Sequence, residues 1–460
     1  IYNAGFTKQW ILERERQSSG GQGWTLDRIN AGDRVCEDNQ SLRNQSVGFE
    51  AFVRSLQFRP KDADARDLSK LVSSIDAPVF LTGAWQDEQT GPRFATMLKD
   101  FTGAGKKHFV LFNGHHPDGY SAHNLSRWYE FLGLYVAKRV PRLLDVVRAA
   151  LPGEMTKNYG YPLQLDADRF ADLNDSQYEE ALARWENEPS VTVDFELGAG
   201  DPENALGAPV PRFTAQFTEF PPANVEPWRL WLDGNGALAT STPSGDAADR
   251  FTFDAAIGTV GYGHDGGFDF IKPTPTLTFT WEPTRDGKGL SYLTEPLDQD
   301  VVIAGSGHAD LWVRSESAQA NLEIVLSEVS PDGDEIRIQN GVLDTGFRKV
   351  DEARSDDLVT QILYSAEDYQ DVPVGEWYQV NLPIFPVTHP LRAGSRLRVQ
   401  INTPGGDLPL WYFENLDPGG EGIGYSIGRG GARASSIVLP VLPAGQIAIP
   451  AERPPCGSLR

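Results

Sequence analysis

The spacing of apolar residues changes near Val191. Before it they recur at helical intervals, broken by two short unalternating runs, Val79 to Leu81 and Phe109 to Phe112. Each run leads to a Gly and then polar residues: Gly83-Ala-Trp-Gln-Asp87 after the first, Asn113-Gly-His-His-Pro-Asp118 after the second. Short apolar runs bounded by turn residues suit strands buried on both faces, as in a parallel sheet. Between them, Pro92 to Phe101 carries Phe94, Met97 and Leu98 at helical spacing. The pattern predicts strand, helix, strand, a right-handed crossover.

Other helices are predicted around Phe6, Trp10 and Leu12, and from Asp38 to Leu56, with a Ser/Gly loop over 18–23 between them. Asn124 to Val140 places Trp128, Phe131, Leu132 and Tyr135 on one face. Asp175 to Asn187 does the same with Tyr178, Leu182 and Trp185, and stops before Pro189. Beyond Val191 short alternating runs take over. They include Trp228 to Asp233, His308 to Val313, Leu322 to Val329 and Ser395 to Ile401, separated by Gly, Pro, Asp and Asn. Many short strands of this kind imply a β-sandwich or jelly roll. Most of Trp228, Trp231, Trp312, Trp377 and Trp411 are expected in its core, since alternation buries every second residue.

Length and charge narrow the classes. At 460 residues the chain exceeds one ordinary core and implies two or three domains. A net charge of −23 argues against nucleic-acid binding, and no apolar run is long enough to span a membrane. The charge fits a self-repelling surface of the extracellular or salt-adapted kind, so a secreted or cell-envelope location is expected, with the cytoplasm left open. Ile1-Tyr-Asn-Ala-Gly-Phe has no Met and no signal-peptide pattern, which predicts that the sequence starts inside something longer. Cys36 and Cys456 leave two readings open: a disulfide tying the tail to the first domain, or two unpaired thiols.

The candidate chemistry lies at the two strand ends. In open α/β sheets ligands bind at the carboxyl ends of strands, and Asp87 and His116 lie just past two such ends. An Asp followed by a His in this order is the back half of a Ser–Asp–His triad. There the His moves the proton of a serine hydroxyl while the carboxylate fixes its tautomer. The structural alternative is that Asp87 caps a helix and His116 is an ordinary loop histidine. Gly424-Tyr-Ser426-Ile-Gly428 satisfies the Gly-x-Ser-x-Gly pattern. It follows Asp87 and His116 in the wrong order, lacks a helix after it, and reads as a β-domain loop, so Ser426 is not expected to be the nucleophile. His264, His308 and His389 lack metal-ligand spacing and read as structural. Asp233-Gly-Asn-Gly and Ser330-Pro-Asp-Gly-Asp read as turns rather than calcium loops.

The order of these motifs resembles the serine hydrolase family that includes cocaine esterase, glutaryl-cephalosporin acylase, the α-amino-acid ester hydrolases and the X-prolyl dipeptidyl aminopeptidases. Gly83-Ala-Trp85-Gln-Asp87 is similar to its acid-bearing stretch and Asn113-Gly-His-His116-Pro-Asp118 to its histidine loop. Gly305 to Val313 and Ser435 to Val441 resemble the opening and close of its β-domain. The resemblance implies catalytic Asp87 and His116, with His116 favoured over His115, and Asp118 either orienting the loop or solvating it. It implies α/β plus all-β: an α/β-hydrolase sheet with helical cap, followed by a C-terminal jelly-roll β-sandwich. The parts expected are cap over residues 1–70, acid and histidine over 71–150, a helical connection over 151–190, and a galactose-binding-like β-domain over 191–460. It places the nucleophilic serine and the oxyanion donors on a segment upstream of Ile1. It calls for no cofactor or metal and for a small-molecule ester substrate. Two alternatives stay open: amide or peptide cleavage by the same triad, and a non-catalytic subunit whose β-domain grips carbohydrate or peptide. Gln89 and Thr90 stand where relatives that bind a substrate α-amino group carry carboxylates, which argues against an amino-acid ester.

Overall fold

A computed structural model gives the fold for residues 23–45, 51–52, 55–56, 58–61, 65, 67–87, 90–200, 206–254, 262–263, 278–279, 286–404 and 417–455. The helix expected around Phe6 to Leu12, Cys456, Trp411 and His264 lie outside these residues. Among the described residues no helix is long and apolar enough to cross a membrane.

The crossover forms. Strands β1 (Val79–Ala84) and β2 (Lys107–Phe112) pair in parallel, with Val79 opposite Lys107 and Ala84 opposite Phe112. Two further strands, β3 (Val191–Phe195) and β4 (Phe213–Phe217), complete a sheet of order β1-β2-β3-β4, parallel to β2 and antiparallel to β3 respectively. The change of texture at Val191 therefore falls inside this sheet.

The connection between β1 and β2 is helical but not α. Pro92–Asp100 winds as 3-10 turns. Its buried residues are Pro92, Ala95 and Leu98, and Phe101 follows in the same step. That step of three is the 3-10 repeat, and it matches the apolar positions better than the Phe94, Met97, Leu98 spacing does. The predicted helix at Asn124 is also modified. It runs Ala122–Phe131 as α-helix and continues through a π turn, Leu132–Val136. Trp128, expected inside, is exposed, whereas Asn124, Ser126 and Glu130 are buried. The polar face turns inward because it is paired there: Glu130 Oε2 meets Arg169 Nη2 at 2.6 Å, and Ser126 Oγ accepts the Asp166 N–H. Helix Tyr178–Glu186 follows a short 3-10 turn capped by Asn174, and buries Ala181 and Trp185 with Tyr178 and Leu182 packed beside them. The helix expected from Asp38 begins earlier, as Arg34–Arg43, where Asp33 accepts the Cys36 N–H at its start.

Among the described residues the β-rich part is one hydrogen-bonded network of eleven strands, beside which β8 (Tyr262–Gly263) and β9 (Thr278–Phe279) pair only with each other. The network begins with β5 (Glu226–Asp233), β6 (Ala237–Ala239) and β7 (Ala247–Thr252) and continues from β10 (Leu290–Leu293). Its long strand β11 (Val301–Ser315) pairs with β14 (Tyr378–Leu391), β16 (Gly424–Arg429) and β17 (Ser436–Leu442). Strand β12 (Asn321–Val329) lies between β13 (Glu335–Asp344) and β15 (Arg396–Asn402). The core of these strands is aliphatic: Leu311, Val313, Leu322, Ile324, Val399 and Ile401 are all buried. Trp228, Trp231, Trp312 and Trp377 are only half-buried, contrary to expectation. Arginines explain two of them: Arg229 lies over Trp231, and Arg314 and Arg433 lie over Trp377, at 4.9 and 5.3 Å. A single hydrophobic cluster joins Phe109, Leu111 and Val193 of the small sheet, through Trp85 and Phe220, to Ile303 and Leu382 of the large one.

Candidate active site

Two loops leave the small sheet side by side. Beyond the last paired residues of β1 and β2, the Trp85 N–H donates to Phe112 O at 2.8 Å and the Gln86 N–H to Gly114 O at 3.2 Å. The Gln86 side chain accepts the Gly114 N–H at 2.8 Å. Pairing thus continues past the strands, and the residues that follow each strand meet. Asp87 Oδ2 lies 2.8 Å from His116 Nδ1. Its other oxygen, Oδ1, accepts the Thr90 N–H at 2.8 Å. The carboxylate is buried (10% exposed) while the imidazole is open to solvent (42%). Asp87 acting on Nδ1 favours the tautomer with the proton there and the lone pair on Nε2.

The histidine loop is set by its own residues. Asp118 is fully buried and its Oδ2 accepts the His115 N–H at 2.8 Å, so it orients the loop rather than solvating it. Gly114 has φ +155, and a Cβ there would lie 2.8 Å from the same Asp118 oxygen. Asn113 bonds both backbone groups of Leu197, accepting its N–H at 2.8 Å and donating to its carbonyl at 3.1 Å. Of the two adjacent histidines, His116 meets Asp87; His115 contributes its backbone to Asp118. Glu88 and Gln89 lie outside the described residues.

Ser426 is elsewhere. It sits within β16, paired to Arg314 on one side and Arg250 on the other, and is buried. The sequence reading of a loop here is corrected to a strand, which offers no sharp turn into a helix to raise a hydroxyl. A second Ser–His–carboxylate grouping, Ser395, Glu328 and His389, is buried in the β-rich part. There the carboxylate is central, bonded to both Ser395 Oγ and His389 Nε2, so the His does not reach the hydroxyl it would have to deprotonate. His308 bonds Leu358 O and lies 3.4 Å from Asp310 Oδ1. Asp233 accepts the Gly234 N–H and Ser330 Oγ donates to Asp334 O, ordinary turn bonds.

One charged group was not anticipated. His123, at the start of helix Ala122–Phe131, lies between Asp166 (2.9 Å from Nδ1) and Asp194 (3.3 Å from Nε2). The second contact is an ion pair without hydrogen-bond geometry. Burial opposes the imidazolium charge, but Asp194 and Asp166 outweigh it and push the pKa up to about 10. The available signal was Asp194 itself, a carboxylate in the otherwise uncharged strand β3, which demands a cation nearby.

Several known hydrolases are similar to this chain. Residues 183–407 match the family model described as X-Pro dipeptidyl-peptidase C-terminal non-catalytic domain. Cocaine esterase of Rhodococcus sp. (strain MB1 Bresler) is 26% identical over 248 residues, 49% of this chain and 39% of that protein. A CocE/NonD family hydrolase from Staphylococcus aureus superposes with a TM-score of 0.63 at 14% identity, covering 96% of this chain and 64% of that one. An α-amino acid ester hydrolase superposes with a TM-score of 0.53 at 13% identity, covering 88% and 62%. Together these matches support a chain of the CocE/NonD hydrolase type. It spans less than two thirds of each of these family members, with shares of 39%, 64% and 62%. Asp87 and His116 precede the stretch matched by the non-catalytic family model, which begins at residue 183.

Proposed function

We propose that this chain carries the acid and the histidine of a serine esterase, with the nucleophilic serine on a segment upstream of Ile1. The observation that supports this is the 2.8 Å contact between His116 Nδ1 and Asp87 Oδ2 at the ends of neighbouring parallel strands. As the serine Oγ bonds to the substrate carbonyl carbon, His116 Nε2 takes its proton. Asp87 stabilises the resulting imidazolium. The same proton passes to the leaving alkoxide as the ester C–O bond breaks, releasing the alcohol and leaving an acyl-enzyme. Water then gives a proton to Nε2, attacks the acyl carbon, and frees the acid and the serine. The oxyanion donors belong upstream as well.

The name of the curated relative, cocaine esterase, favours esters over amides. In this reading the small sheet is the carboxyl-terminal part of an α/β-hydrolase sheet beneath a helical cap. The eleven-stranded part is a jelly roll, and substrate enters between cap and β-domain. A secreted or cell-envelope location is in keeping with the net charge of −23, with the cytoplasm left open.

The test uses the full-length protein that contains this chain. A fluorophosphonate probe is expected to label it and p-nitrophenyl esters to be turned over. His116→Gln should abolish labelling, and Asp87→Asn should lower kcat by about 10⁴ while the fold persists. Hydrolysis of p-nitroanilides in preference to esters would move the assignment to an amidase. Absence of labelling, together with retention on carbohydrate columns, would replace it with a binding protein.

A further inference from the structure

The turn that carries Asp87 is gripped from the β-rich part. Trp85, two residues before the acid, is 1% exposed. Its indole N–H donates to Thr388 Oγ1 on β14 at 2.8 Å, and its backbone carbonyl accepts from Gln339 Nε2 on β13 at 3.2 Å. Gln339 is fully committed: its Nε2 also donates to Pro386 O at 3.1 Å, and its Oε1 accepts the Asn340 N–H at 3.1 Å. Gln339 and Thr388 are 3% and 5% exposed, so no water competes for these bonds. The indole is held on its faces by Phe94 and Phe220, at centroid distances of 5.7 and 5.4 Å. From the other side the Trp85 N–H is taken by Phe112 O, on the strand that leads to His116.

We infer that Gln339 and Thr388 are positioning residues for Asp87, so that the region resembling a non-catalytic domain sets the alignment of the acid with His116. The inference rests on the reading of Asp87 and His116 as a catalytic pair. The physical argument is covalent proximity. Trp85 and Asp87 are separated by one residue, so rotation of the indole or release of its carbonyl displaces the carboxylate. An error of about 1 Å in a catalytic group already costs on the order of 10²-fold in rate. Both residues lie within 183–407, the span matched to the domain described as non-catalytic. Their hydrogen bonds run to Trp85, Pro386 and Asn340, so a purely structural role would alter stability without altering His116.

The readout is therefore the imidazole itself. The seven histidines are labelled with ¹⁵N, His116 is assigned by its loss in His116→Gln, and its tautomer ratio is measured at a pH where it is neutral. In the wild-type chain the Nδ1–H form is expected to dominate, and Asp87→Ala should shift the ratio toward Nε2–H. Thr388→Val and Gln339→Leu should each shift it part of the way. Thr388→Ser, which keeps the hydroxyl, should restore the wild-type ratio. Thr388→Cys, with a weaker acceptor, should give an intermediate value and serves if the valine variant does not fold. Wild-type ratios in Thr388→Val, Thr388→Cys and Gln339→Leu, with a shift in Asp87→Ala, would overturn the inference and leave the catalytic pair standing. No shift in Asp87→Ala would sink both.

Discussion

At the scale of single residues, burial decides which charges matter. Asp87 and His116 are a half-open pair, whereas His123 is enclosed between two carboxylates. Its folded pKa of about 10 lies above the ordinary 6.5. The charge therefore contributes its full stabilisation below pH 6.5 and loses it as pH climbs toward 10. The unfolding midpoint is expected to fall across that window, and His123→Gln to flatten this part of the profile. The same substitution leaves Asp194 buried without its cation, which costs on the order of 3–5 kcal/mol. Adding Asp194→Asn should recover part of that loss, as measured by urea unfolding.

At the scale of elements, sequence is decisive where one period dominates. The runs at Val79 and Phe109 are parallel strands, and Tyr178, Leu182 and Trp185 share a helix face. It is ambiguous where two periods compete. Residues 92, 95, 98 and 101 repeat every three, and this 3-10 pattern overrides the α spacing of Phe94, Met97 and Leu98. Trp128 misleads for another reason: Phe131 and Tyr135 pack against the core as expected, but Trp128 itself stays exposed while Glu130 turns inward to Arg169. Such pairings join residues far apart in sequence and leave no local trace. The approach of β13 to β14 is set by Gly341, where a Cβ would lie 2.0 Å from Pro383 O. Gly341→Ala is expected to force the two strands apart and destabilise the protein by about 1–3 kcal/mol. The same change should raise the hydrogen exchange of the Trp85 indole N–H. Unchanged protection there would show that the strand spacing does not govern the Trp85 contact.

At the scale of the molecule, the two sheets share one hydrophobic cluster and a buried ion pair. Glu196, just past β3, meets Arg392, just past β14, at 2.6 Å, both nearly fully buried. Removing one charge, as in Arg392→Met, should cost on the order of 3–5 kcal/mol. Arg392→Met with Glu196→Gln should cost less than the sum of the singles, because neither then leaves a bare charge. Additive losses in a double-mutant cycle would mean that the pair does not couple the sheets.

The sequence by itself determined what local chemistry can encode. It identified the strands that carry Asp87 and His116, the turns that end them, the β-rich texture beyond Val191, and the order of motifs on which the resemblance to the hydrolase family rests. Tertiary structure alone decided which oxygen of Asp87 faces His116, that Asp118 is wholly buried, and that His123 sits between Asp166 and Asp194. It also decided that Gln339 and Thr388 reach across to Trp85. The physical reason is range. Periodicity and turn preference act over a few residues, so a chain read in order reveals them. Hydrogen bonds and ion pairs depend on distance in space, and Trp85 and Thr388 are 303 positions apart along the chain.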